Sequence, residues 1–213
     1  SKDEFTWDQT VDIVDKVFAS LDLELKNIFR RLVDNGQVDV MPGPGKASGA
    51  FCASGGLLTP TYVLVNFKNK LDDVRTLAHE MGHAVHYELA KENNSLDYRI
   101  SNSLAETAST FMEDFVLEYL NKNLDPHQRI YLNIKRLDDM VGTIFRQVAC
   151  YQFEQELHNS FRKVGYISQT EIGKIFARHM GAYSGDAVDV SGDFGNWWIY
   201  WHHIRNPFKV FAY

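Results

Sequence analysis

Two histidines four residues apart, with a glutamate directly after the first, carry the most specific chemical signal in the sequence. They are His79, Glu80 and His83, within Ala78-His79-Glu80-Met81-Gly82-His83-Ala84-Val85-His86. On an α-helix, residues four apart lie one turn above each other on one face. Both imidazoles can therefore point a ring nitrogen at one divalent ion. His-Glu-x-x-His on a helix is a zinc-binding pattern in which the glutamate serves as general base. Two imidazoles do not complete such a site, which needs a third protein ligand and an open position for water.

The third ligand is expected from a different element. Glu106, in Ser103-Leu104-Ala105-Glu106-Thr107-Ala108-Ser109-Thr110, is the best placed. It follows a break at Asn93-Asn94-Ser95 that lets a second helix turn back on the first, and Ala105 and Ala108 are small enough for close approach. Glu113, seven residues on, shares the face of Glu106 and can accept a hydrogen bond from a ligand histidine. Each residue has a plainer alternative. The pentapeptide can occur by chance, Glu106 can close a capping box with Ser103, and Glu113 can be a solvated helix residue. His86 also shares the histidine face, but it lies about 10 Å from His79 along the axis at 1.5 Å per residue. Ligand bonds of about 2.1 Å cannot easily bridge that span, so His86 is assigned to packing or to support of a ligand.

The elements that must position these groups follow from capping and periodicity. Thr6-Trp7-Asp8-Gln9 is a capping box, opening a helix with Val14, Val17, Phe18 and Leu21 on its apolar face. Asp22 caps the next, in which Leu25, Ile28, Phe29 and Leu32 recur at helical spacing before Gly36. Met41-Pro42-Gly43-Pro44-Gly45-Lys46 must be a loop. Two strand-like runs, Gly49 to Ala53 and Tyr62 to Phe67, form a small sheet or hairpin; the second is expected to accept an extended peptide as an added strand. The signature helix spans about Leu71 to Lys91, and the next runs from Ser101–Ser103 to about Leu120. Asp125-Pro126 starts a long helix whose Ile130, Ile134, Leu137, Val141, Ile144, Phe145 and Val148 keep helical spacing and which ends at Gly165. Ser168-Gln169-Thr170-Glu171 is a further capping box, opening a helix through Met180. Tyr183 to Gly195 is loop-like, and the end is aromatic. The glycines around Gly49 and from Gly181 to Gly195 are read either as points of close approach or motion for a substrate, or as ordinary turns.

The 213 residues carry a net charge of −6 and 45% hydrophobic side chains. This composition builds a core and argues against nucleic acid as a partner. No apolar stretch nears the ~20 residues that span a bilayer, and the polar start Ser1-Lys2-Asp3-Glu4 is not that of a secretory signal. Cys52 and Cys150 are read as reduced thiols of a cytoplasmic protein.

Taken together, these stretches resemble the oligoendopeptidase F branch of the thimet oligopeptidase family of zinc metallopeptidases. The resemblance rests on Gly45-Lys46-Ala47-Ser48-Gly49-Ala50-Phe51-Cys52, on Tyr62-Val63-Leu64-Val65-Asn66-Phe67 and on Leu77 to His86. It continues through Ala105-Glu106-Thr107-Ala108-Ser109-Thr110-Phe111-Met112-Glu113 and His202-His203-Ile204-Arg205-Asn206-Pro207-Phe208. It implies a mainly α fold, a helical zinc-peptidase catalytic lobe with a small β-sheet or hairpin. It implies one Zn2+ held by His79, His83 and Glu106, with Glu80 as general base. The family also pairs a histidine with downstream tyrosines near the substrate carbonyl. His202 fits that role, with His203 the runner-up. Lys209 and Phe211 depart from the tyrosine-rich pattern, leaving Tyr213 as the hydroxyl donor. The expected activity is hydrolysis of short peptides by a single catalytic domain over 1–213. Its parts are helices 6–35, a β element 49–67, zinc-site helices 71–120, a long helix 126–164 and a C-terminal helix and aromatic block 168–213. The alternative is a truncated lobe that binds zinc and peptide with little or no turnover. The family's helical N-terminal lobe has no counterpart in these residues, so a homo-oligomer or a separate lobe is a possible partner, with neither nucleic acid nor membrane expected.

Overall fold

The computed structural model describes residues 4–201. His202, His203 and Tyr213 lie outside the described residues, as do Lys209 and Phe211. The architecture is mainly α with one small sheet, as the sequence implies. Contacts divide the chain into two compact units, with the break between Asn133 and Ile134.

The first unit opens with α1 (Trp7–Leu21) and α2 (Leu23–Asp34). The Thr6 hydroxyl accepts from Gln9 N–H and Thr6 N–H donates to the Gln9 side chain, so the capping box forms. Asp22 caps α2 through Glu24 N–H. Phe18 and Phe29 meet at 5.5 Å in the core beneath both helices. Three strands follow, β1 (Val38–Asp39), β2 (Phe51–Ser54) and β3 (Thr61–Leu64), in the order β1-β3-β2. β1 pairs parallel to β3, and β2 antiparallel. At two residues, β1 is too short for periodicity to reveal, and it changes the role of its neighbour. The Tyr62–Phe67 run, expected to receive an added strand, is instead the middle of the sheet. Val63 and Val65 already donate their N–H groups to Gln37 and Asp39.

The two long helices of the unit are α3 (Leu71–Ala90) and α4 (Asn102–Asn123). Asp73 accepts from the N–H groups of Lys68 and Lys70 at the start of α3. After α3, the Asn94 side chain accepts from Leu96 and Asp97 N–H and holds the turn expected at Asn93-Asn94-Ser95. Val74, Leu77, Ala78, Met81, Ala84 and Val85 bury one face of α3 in a core with Met112, Val116 and Leu120 of α4.

α5 (Pro126–Val141) starts at the expected proline. The stretch to Gly165 is not one uniform helix: a π-helical turn, Gly142–Arg146, separates α5 from α6 (Gln147–Val164). Gly142, lacking a Cβ, lies where the ladder widens. The seven residues at helical spacing from Ile130 to Val148 are all exposed, while Leu132, Ala149, Cys150 and Phe153 are buried. Helical spacing does not establish which residues the fold covers.

In the second unit, Gly165 ends α6 in the left-handed region at φ 75°, where glycine is unstrained. α7 (Gln169–Ser184) begins at the expected Ser168–Glu171 capping box and runs one turn past Met180. Phe153 and Phe176 pack edge to face at 5.3 Å. Part of the stretch expected as loop forms 3-10 turns, Gly185–Ala187 and Gly192–Tyr200. Among the described residues, no helix is long and apolar enough to cross a membrane.

Candidate metal centre

His79 and His83 project from α3 as i and i+4, with ring centroids 5.0 Å apart. Glu106 reaches them from α4, its Oε2 lying 3.4 Å from the Nε2 of His79 and 3.4 Å from the Nε2 of His83. One ligand atom from each of the three falls within 4.8 Å of the others, and no other such group of His, Cys, Asp or Glu occurs among the described residues. Around a tetrahedral ion with bonds of about 2.0–2.1 Å, donor atoms sit roughly 3.4 Å apart. Two imidazoles and a carboxylate are also a donor set of catalytic zinc. The residues present therefore fit a zinc ion.

The approach of the two helices depends on Gly82. A Cβ there would sit 2.7 Å from the Cα of Ser109 and 2.8 Å from the carbonyl oxygen of Ala108. Glycine inside the signature, more than the alanines of α4, sets the spacing that lets Glu106 reach His79 and His83. The helix N-cap is Ser101, which accepts from Leu104 N–H. The Ser103–Glu106 capping box does not form, and the Glu106 carboxylate instead takes a hydrogen bond from the buried Ser109 hydroxyl at 3.0 Å.

Glu113 is not a solvated residue. Its Oε2 lies 2.9 Å from the Nδ1 of His79, and its Oε1 lies 3.4 Å from the Nε of Arg75. An ionised carboxylate only accepts, so Nδ1 of His79 donates to Glu113, and without a metal Nε2 carries a proton toward Glu106 as well; a bound metal would take the place of that second proton. Burial disfavours the His79 imidazolium, but hydrogen bonds to Glu106 and Glu113 and the nearby carboxylates outweigh it, and the group is held up at about 9. The cluster carries more negative charge than its histidines balance, which suits a cation. His86 lies outside it; burial, then His83, pushes its imidazole below the ordinary value.

Glu80 is buried, and burial pushes its carboxyl above the ordinary range against the pull of His79 and His83. It also accepts a hydrogen bond from Cys52 N–H on β2. The register explains that bond. Cys52 stands opposite Val63, whose N–H is given to Gln37, just before β1. In an antiparallel ladder, facing residues either exchange both bonds or neither, so the main-chain groups of Cys52 point to the open edge of the sheet. The Cys52 thiol is pushed up to about 12 by burial, then by Glu80 and Glu88. It stays protonated and unsuited to metal binding or attack. Sequence reasoning missed Gly82, Ser109, Arg75 and the Cys52 amide. The i+3 spacing from Glu106 was available as a signal for Ser109, and the i−4 spacing from His79 for Arg75. The Cys52 amide had none, because strand pairing decides its direction.

The sequence profile described as Peptidase family M3 matches residues 8–208. The chain belongs to that family. Oligopeptidase PepF of Bacillus subtilis (strain 168) is 30% identical over 210 residues, covering 98% of this chain and 31% of that protein. An oligoendopeptidase F homolog of Borreliella burgdorferi is 31% identical over 210 residues, covering 95% and 35%. The M3 chain thus spans about a third of the length of the curated relatives it matches. The crystal structure of oligoendopeptidase-F from Enterococcus faecium matches with a TM-score of 0.54 at 25% identity, covering 96% of this chain and 38% of that one. PZ peptidase A with an inhibitor matches at 0.77 and 19% identity, covering 98% and 37%, a likeness of fold. The resemblance to the oligoendopeptidase F branch, read from the motifs, is borne out.

Proposed function

We propose that this chain is the catalytic lobe of a zinc-dependent endopeptidase that hydrolyses short peptides. The observation that carries the proposal is the convergence of His79, His83 and Glu106 within 4.8 Å, beside a buried Glu80. These three residues would hold one Zn2+, which supplies Lewis acidity, polarising a scissile carbonyl and making a nearby water more acidic. Glu80, its carboxylate less acidic than an exposed one, takes the proton of the attacking water and passes it to the leaving amine. The Cys52 amide holds Glu80 in place for both transfers, and Glu113 fixes the tautomer of His79. His202 and Tyr213 are the proposed donors to the developing oxyanion. The peptide lies extended along the outer edge of β2, where the Cys52 carbonyl is turned outward while its N–H stays with Glu80. Membership of a family whose relatives are named oligopeptidases supports this substrate class.

Cleavage of quenched fluorescent peptides by the zinc-loaded protein, with and without chelator, tests the proposal. Chelator-sensitive cleavage is expected, and Glu80→Gln should keep zinc while losing about 100-fold or more of the rate. Zinc that does not bind on reconstitution, or full activity in Glu80→Gln, sinks it. Because the chain spans about a third of its relatives, a second outcome is distinct: zinc and peptide bind, and no peptide is cut.

A further inference from the structure

The seam between β2 and α3 continues past Glu80 into a cavity of about 280 Å3, lined among others by Gly49, Ala50, Val65, Asn66, Asp73 and Thr76. Two of these residues fix where it lies. Thr76 precedes Glu80 by one helical turn, about 6 Å at 1.5 Å per residue. Ala50 precedes Cys52 by two residues, about 6.6 Å along an extended chain, and residues two apart share a face. The Cys52 amide meets Glu80, and Ala50 shares the cavity with Thr76, so strand and helix run in the same sense past both places. The cavity is the next station along the same seam.

The edge beside it offers the same main-chain geometry. Extending the register one residue beyond the Phe51–Leu64 pair sets Ala50 opposite Val65. Val65 gives its N–H to Asp39 on β1, so Ala50, like Cys52, turns its N–H and C=O to the outer edge; at Cys52 the N–H is taken by Glu80 and the carbonyl is left for a peptide. A peptide strand added there repeats every second residue, and two side chains on one face fall at the levels of Cys52 and Ala50.

We propose that this cavity is a specificity subsite for the peptide, receiving a medium-sized uncharged side chain two residues from the one at the level of Cys52. The inference rests on the peptide-hydrolase proposal above. The chemistry of the walls sets the preference. Ala50 and Val65 are apolar. Three of the polar lining groups already have work within the protein: Asp73 accepts from Lys68 and Lys70 N–H, Asn66 donates to the Ala47 and Gly49 carbonyls, and the Thr76 hydroxyl donates to the Asp72 carbonyl. Lys68 and Asp73 bring one charge of each sign to the lining, so an ionic side chain entering here would lose its water and meet a like charge along with the opposite one. A Leu- or Met-like side chain gains apolar burial instead.

Peptides identical except at one position, scanned through Gly, Leu, Lys and Glu at each position in turn, test this. At one position Leu should exceed Gly in kcat/KM by about 10- to 200-fold, with Lys and Glu not sharing the gain. Thr76→Phe and Ala50→Leu fill the cavity from opposite walls. Each should bring the Leu-to-Gly ratio at that position close to one and leave the ratios at other positions unchanged. The subsite is overturned if no position shows the preference, if it survives both fillings, or if filling slows every peptide equally. Should the zinc-loaded protein cut no peptide, hydrolysis fails on its own, and the same scan is read as affinity by fluorescence anisotropy with labelled peptides. A Leu preference lost in the filled variants then supports the subsite, and absence of binding to every peptide rejects it.

Discussion

Two helix seams in this molecule use the same device for different ends. Where α3 meets α4, Gly82 lies against the backbone of Ala108 and Ser109. Where α7 meets the 3-10 turn Gly192–Tyr200, Gly173 and Gly195 meet backbone to backbone, a Cβ on Gly195 falling 2.8 Å from the Gly173 carbonyl oxygen. The first seam encloses polar groups: Glu80 and Ser109 are buried, and His79, His83 and Glu106 are mostly covered. The second encloses aromatic rings, Phe153, Phe176 and Phe194, and leaves its charged set, Glu156 with Arg178 and His179, at the rim. Close approach by glycine is therefore a packing tool, and the side chains it brings together decide whether a seam is a core or a site.

The largest effect that would break this contrast is expected at Gly82. In Gly82→Val a branched side chain has no room between the two helix backbones, and overpacking of this kind costs about 1–3 kcal/mol or more. α4 must move, and Glu106 leaves the histidines with it. Thermal melting should show the loss of stability, and zinc titration should show no high-affinity site. A Gly82→Val protein that folds and binds zinc normally would mean that the spacing of α3 and α4 does not govern the cluster.

What the sequence made legible follows this division between local and non-local. His79, Glu80 and His83 were readable because their geometry is a property of one helix. So were the capping boxes at Thr6 and Ser168, where donor and acceptor lie three residues apart. Glu106 and Glu113 required only that a second helix fold back, and small residues and an Asn-Asn-Ser break signalled that. The central place of β3 was not readable, since it depends on the two-residue β1 pairing from more than twenty residues away. The hold of the Cys52 amide on Glu80 was hidden for the same reason: strand pairing, not residue type, aims a backbone N–H. The π turn at Gly142–Arg146 and the exposure of Ile134 and Leu137 likewise reflect surroundings that periodicity does not encode.

The contrast is sharpened one layer out from the metal. Glu113→Gln keeps the shape of the partner of His79 but removes the charge that fixes its proton on Nδ1. Residues of this kind typically carry 10- to 100-fold in metal affinity, so competition with a fluorescent chelator should report a weakening of about that size with little change in helix content. Arg75→Met should give a smaller weakening of the same sign, since Arg75 lies against Glu113, one step further out than the ligands. An unchanged affinity in both variants would leave Glu113 as a packing residue.

At the aromatic seam the matching substitution should do less and should do it without touching the metal. A Cβ on Gly173 would meet the Gly195 carbonyl oxygen at 3.2 Å, close enough to require a small backbone shift. Gly173→Ala is expected to cost about 1 kcal/mol, near the low end for overpacking, with zinc affinity equal to wild type. A fall in zinc affinity would show that the two seams are energetically coupled.

The smallest effect lies on the far end of α3. Glu88 accepts from the buried Thr61 hydroxyl at 2.6 Å and pairs with Arg31 at 2.8 Å and Lys91 at 2.5 Å. Burial alone would raise its pKa, but the bonds to Lys91 and Thr61 and the charges of Lys91 and Arg31 outweigh burial and hold it below the ordinary glutamate value. A carboxyl with a depressed folded pKa stabilises the fold above its unfolded value of about 4.3, and that contribution is lost as the pH falls through the folded value. Glu88→Gln keeps the Thr61 contact and loses the ion pairs, at a cost of about 1 kcal/mol or less for charges this close to solvent. Urea unfolding of the metal-free proteins, with chelator present so that zinc release does not contribute, should show a constant stability gap from neutral pH down to about pH 5 that closes at lower pH. A gap that persists unchanged into strong acid would assign the loss to packing of the side chain, and α3 would then be anchored to β3 by shape and not by charge.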